Sequence, residues 1–90
     1  MRKIINPFVE LEGFECFGCS PKNPIGMHLQ FYEDGEFLVS TWKPDPRLQG
    51  YKDVLHGGIQ TFLLDEIASW TVYVKAETAG VTSNIDIKFR

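Results

Sequence analysis

Basic residues are scarce in this 90-residue chain: nine Lys and Arg stand against twelve Asp and Glu, for a formal net charge of -3. A nucleic-acid module needs a clustered basic face, so that class is set aside. No apolar run approaches the ~20 residues of a membrane-spanning helix. Met1, Arg2 and Lys3 open the chain on a basic note, but Pro7 and Glu10 follow before any apolar signal core develops. The expectation is a cytoplasmic chain. Cysteine is nearly absent: Cys16 and Cys19 form one C-x-x-C. Zinc would need two further ligands, and His28 and His56 are the sole histidines. A redox C-x-x-C belongs at a helix start beside a βαβ pattern, whereas Pro21 and Pro24 follow this one. The pair is therefore read as reduced thiols in a packed turn. Internal repeats and low-complexity tracts are also lacking.

What is present suits one domain, residues 1–90, with a single modest core. Residues 8–12 fit a short strand or a helical turn. Residues 16–26 are turn-rich, with Gly18, Ser20, Pro21, Asn23, Pro24 and Gly26. Residues 27–31 alternate apolar and polar, as a half-buried strand does. Asp34 and Gly35 signal a hairpin, and residues 37–42 return as its partner until Pro44 and Pro46. Residues 43–55 read as a loop. The spacing of Ile59, Phe62, Leu63, Ile67, Trp70 and Val74 predicts a helix over 57–75. Leu64, Ala68 and Val72 make it apolar nearly all round, the mark of a buried helix, and Gly80 suits its stop. Residues 81–90 alternate cleanly and predict a strand. The fold class is α+β, with an antiparallel sheet wrapped around one long helix.

The chemistry concentrates at residues 55–66. Gly57 and Gly58 lack a Cβ, so another group can approach their backbone. No Ser, Thr, Asp or Asn stands at the helix opening to cap its first N–H groups. Those donors, with the partial positive charge of the helix mouth, are left for a carbonyl or phosphate oxygen. Asp65 lies about two turns in, too deep to cap, where a base or nucleophile could act. Glu66 projects into the apolar stripe, where a charge needs a partner or a raised pKa. The ordinary alternatives are a tight packed turn for the glycines, a lightly paired Asp65 and a structural Glu66.

His56, Gly57 and Gly58, with an acidic residue nine places after the His, resemble the signature of the hotdog-fold acyl-CoA thioesterases. The phenylacetic-acid-pathway and 4-hydroxybenzoyl-CoA branch is nearest. Cys16, Phe17, Gly18 and Cys19, then Asn23, Pro24, Ile25, Gly26 and Met27, are similar to the opening of many members. Gly80 through Ile87 resembles the strand after the helix. The likeness spans roughly residues 14–90. The family's fold continues with more strands, so the resemblance implies a hotdog domain incomplete at its C-terminus.

The resemblance implies a thioesterase, with no cofactor and no metal. Asp65, which falls on the family's acidic position, would be the general base or the nucleophile, and Glu66 is its rival. Gly58, and secondarily Gly57, would polarise the thioester carbonyl. His56 would shape the turn or touch substrate. Thr82 would help hold the water from a neighbouring subunit. Gln49 and Tyr51, in the preceding loop, would contact substrate. A homodimer, or a dimer of dimers up to a homotetramer, is implied, with the site at the subunit interface. Arg47, Lys52, Lys88 and Arg90 offer a cationic rim for coenzyme A phosphates or simply a soluble surface. A non-catalytic acyl- or acyl-CoA-binding module is the rival from another class. A hydratase is weaker, because His56 is misplaced to be its base.

Overall fold

Both 3₁₀ turns and the α-helix of this chain begin where a side chain takes over a backbone hydrogen bond. The computed structural model describes residues 1–78 and 80–89. It holds a three-stranded antiparallel sheet and one long helix, an α+β chain. The residues group into two compact units, Met1–Trp42 and Lys43–Arg90.

In the first unit the sheet runs β1 (Arg2–Lys3), β2 (Tyr32–Asp34), β3 (Phe37–Val39), in that order. Asp34 pairs with Phe37, so the hairpin loop is Gly35 and Glu36. Gly35 has φ 61°, the left-handed geometry that a tight two-residue hairpin needs at its first position. The turn predicted at Asp34 and Gly35 is thus found. Its strands are shorter than expected. His28 sits at φ 53° and its Nε2 donates to the Asn23 carbonyl at 2.7 Å. That left-handed residue interrupts the alternation of 27–31, and β2 starts only at Tyr32. The predicted partner strand over 37–42 ends at Val39. β1 was not foreseen. It pairs Arg2 with Glu33 and Lys3 with Tyr32, and an Arg2–Glu33 ion pair closes the same register.

Between β1 and β2 the chain is pinned by side chains. Asn6 caps a 3₁₀ turn, Pro7–Glu10, by accepting from the Phe8 N–H at 2.9 Å. This decides residues 8–12 for a helical turn. Ser20 is fully buried, so its hydroxyl must be satisfied. It donates to the Phe14 carbonyl at 3.1 Å and accepts from the Lys22 N–H at 3.2 Å. Leu29, Phe31 and Cys19 are buried with it.

The second unit carries α1 (Gly57–Ala76), one residue longer than predicted. Residues 43–55 are loop, as expected, apart from a 3₁₀ turn, Pro46–Leu48, and an isolated bridge between Gln49 and Leu55. Two expectations fail. The helix is not buried all round: Trp70 is buried, its ring edge-on to Tyr73, while Leu64 and Val72 are 51% and 44% exposed. Nor is Gly80 the stop. Glu77 ends the helix in a left-handed conformation, φ 56°.

Residues 81–89 form no strand; Arg90 lies outside the described residues. A strand needs a ladder partner, and the described residues of this unit offer none. The segment instead runs back along α1. Residues 80–82 line a small cavity with Ala68, Ser69 and Val72, and the Phe89 ring lies against Gly57, 3.4 Å from where a Cβ would stand.

Asp45 caps the second 3₁₀ turn, accepting from the Arg47 N–H at 2.9 Å and from its guanidinium at 2.6–3.1 Å. Those bonds hold its carboxyl down at about 2, from an ordinary 3.8. A lowered carboxyl pKa stabilises the fold above the unfolded value, and that contribution fades as pH falls through the folded one. An NMR titration of the Asp45 carboxyl should show a midpoint near 2. Arg47→Ala should move it back toward 3.8.

Candidate active site

All eight residues singled out from the sequence, Gln49, Tyr51, His56, Gly57, Gly58, Asp65, Glu66 and Thr82, fall in the second unit. The geometry starts at the mouth of α1. The helical ladder begins with Gln60, whose N–H donates to the His56 carbonyl at 3.0 Å. The N–H groups of Gly57, Gly58 and Ile59 lie ahead of that ladder, as helix geometry requires. They were expected to be uncapped. The structure corrects this: His56 is the N-cap, and the Gly58 N–H donates to its Nδ1 at 2.9 Å. An Nδ1 that accepts carries no proton, so the neutral ring holds its proton on Nε2. Imidazole does here what Ser or Asp usually does. Gly58, the residue expected to polarise a carbonyl, is therefore already committed to the His56 ring, which leaves the N–H groups of Gly57 and Ile59 as the remaining donors ahead of the ladder. A Cβ on Gly58 would lie 3.1 Å from His56 Nδ1, so glycine keeps the cap close.

Two turns along, Asp65 is half-buried. It stands five residues before Trp70, about 140° round the helix from that buried ring. Gly58, Thr61, Ala68 and Val72 share its stripe at helical spacing. The carboxylate oxygen Oδ1 accepts a hydrogen bond from the Thr82 hydroxyl at 2.5 Å. The resemblance implied Thr82 acting from a neighbouring subunit. Within this chain the segment after the helix doubles back onto the Asp65 face and brings the hydroxyl there. The hydroxyl holds one carboxylate oxygen, which fixes the orientation of the group. Glu66 is half-buried, on the flank nearer Trp70.

The loop before the helix behaves less uniformly. Gln49 caps the end of the Pro46–Leu48 turn, and its side-chain oxygen accepts from the Asp53 N–H at 2.9 Å. Its side-chain carbonyl is thus engaged within the loop. Tyr51 is 84% exposed and lines a cavity of about 390 Å³ at the helix mouth. Gly50, Val54, Leu55, Gly57, Gln60, Lys88 and Phe89 complete its wall. The Gln60 amide donates to the Leu55 carbonyl at 2.8 Å, which braces that wall.

Sequence reasoning missed Val54, Gln60 and Phe89 as site residues. Strand alternation put Lys88 and Phe89 on opposite faces, yet both line this cavity. Gln60 carried a readable signal, since a long amide in a first helical turn can reach back to the entering chain. Of the cationic rim, Lys88 reaches the cavity, whereas Arg47 is engaged by Asp45.

Replacing His56 removes an N-cap, worth about 1 kcal/mol for ordinary capping residues. His56→Ala should lower unfolding stability by that amount in a urea titration, and His56→Asn should restore most of it. An unchanged midpoint in His56→Ala would show that the imidazole contributes nothing.

No protein-family model, curated protein or solved structure matches the chain.

Proposed function

We propose that this chain is a hotdog-fold thioesterase acting on an acyl-CoA, with Asp65 as the base or nucleophile. The observation that carries the reading is the Asp65 carboxylate, oriented by Thr82 on the open stripe of the same helix whose mouth adjoins the cavity. Attack on a thioester needs a carboxylate or an activated water, and donors for the developing oxyanion. Asp65 supplies the first. The first-turn amides of Gly57 and Ile59 supply the second, with the positive end of a 20-residue helix behind them. Tyr51, Val54, Leu55 and Phe89 give the cavity apolar walls suited to an acyl group. Lys88 supplies a cation for a phosphate or carboxylate.

Helix geometry also supports a site shared between copies. Asp65 stands seven positions after Gly58, about 10 Å along the axis. A reacting carbonyl must lie ~3 Å from both its donors and its attacker. One helix cannot bring both to one carbon. Two copies, each lending its helix mouth to the other's Asp65, remove the difficulty. The proposed homodimer, alone or doubled into a tetramer, is the assembly that does so.

A second reading rests on the committed Gly58 amide. If His56 keeps that donor, the mouth grips a carbonyl less well, and the chain binds acyl-CoA without hydrolysing it.

Hydrolysis of an acyl-CoA panel separates the two. In the thioesterase, Asp65→Asn should lower kcat by ~10²–10⁴-fold, the range for loss of a positioned acid or base. Glu66→Gln should change kcat by less than about 10-fold, in keeping with a group that takes no proton. Full activity in Asp65→Asn removes the assignment, and tight binding with no turnover by the unaltered chain selects the binding module.

A further inference from the structure

The C-x-x-C of the first unit has a geometry that allows more than packing. Cys16 and Cys19 are both thiols, and their sulfur atoms lie within 4.8 Å of each other. The Ser20 N–H donates to the Cys16 carbonyl at 3.0 Å, which closes the four intervening steps into one helical turn. In such a turn the Cα atoms of residues i and i+3 are about 5 Å apart. That falls inside the roughly 4.4–6.8 Å over which a disulfide forms without backbone movement. Rotation about the side-chain bonds is then enough to bring the sulfurs together.

The turn is also held from outside. Phe17 O accepts from Met27 N–H, and Gly18 O accepts from Leu29 N–H, each at 2.8 Å. The Asn6 amide donates to the Cys19 carbonyl at 3.3 Å. The two residues between the cysteines are thus tied at both carbonyls, so the sulfurs stay neighbours while side chains rotate. Exposure distinguishes the pair. Cys16 is half-buried, whereas Cys19 is 8% exposed. An incoming reagent meets Cys16 first.

We propose that Cys16 and Cys19 are a vicinal dithiol that closes to an intramolecular disulfide by exchange with a small disulfide such as oxidised glutathione. The Cys16 thiolate attacks one sulfur of that molecule, breaks its S–S bond and releases one small thiolate. The Cys19 thiolate then attacks the Cys16 sulfur, forms the protein S–S bond and expels the second small thiolate. The two protons lost from the cysteines end on the two small thiols. The dithiol is oxidised by two electrons and the small disulfide is reduced by two.

The test uses the full chain equilibrated across glutathione buffers from fully reduced to fully oxidised, then acid-quenched, alkylated and weighed intact. The expected result is joint loss of both alkylatable thiols with no glutathione adduct and no cross-linked chains. Cys19→Ser should stop at a glutathione adduct on Cys16. Unfolded in urea, the chain should need a more oxidising buffer to close, because the tied turn is gone. Three outcomes overturn the proposal: two thiols persisting in the fully oxidised buffer, an adduct on Cys16 with Cys19 still alkylatable, or equal closure in urea.

Discussion

A carboxylate in the middle of a helix finds no backbone donor, because every N–H at that depth is committed to the ladder. Whatever orients Asp65 must therefore be a side chain or a group from another segment. In this chain it is the Thr82 hydroxyl, and Thr82 reaches it only because the segment beyond Glu77 returns along the face opposite Trp70. The small side chain of Ala68 and the partly open Val72 leave room for that return. The orientation of the carboxylate, the cavity at the helix mouth and the proposed chemistry all depend on this doubling back.

The opposite end of the helix solves a related difficulty with a different residue. The first-turn donors need acceptors, and the sequence places histidine where shorter polar side chains usually stand. His56 serves, at the cost of occupying Gly58. A motif of histidine and two glycines can thus be read as an open donor site or as a self-capped turn. Residue types alone do not separate the two, since the outcome depends on the χ angles of one imidazole.

Legibility followed the range of the forces involved. The hairpin at Asp34 and Gly35 and the helix from Gly57 were readable because glycine's left-handed freedom and a 3.6-residue period act over a few positions. The extent of the strands was not. Nothing in residues 27–31 marks His28 as left-handed, and β1 exists only by pairing with β2, thirty positions away. Residues 81–89 have the alternation of a strand, but alternation states a preference for two faces, not the presence of a partner. Among the site residues, Asp65 and Thr82 were readable one by one, and their bond was not. Phe89 escaped because its role comes from lying against Gly57, a contact that only the path of the returning segment creates.

Glu77 acts as the phase marker of this arrangement. A non-glycine residue tolerates the left-handed region poorly, yet the helix stops there and not at Gly80. Each further residue kept helical would advance the chain about 1.5 Å away from Asp65 and rotate it by about 100°. The stopping point therefore behaves like a vernier: a shift of a single residue in the helix terminus would present a different side chain of the returning segment to the carboxylate. Length, more than composition, is what the stretch between residues 77 and 82 has to conserve.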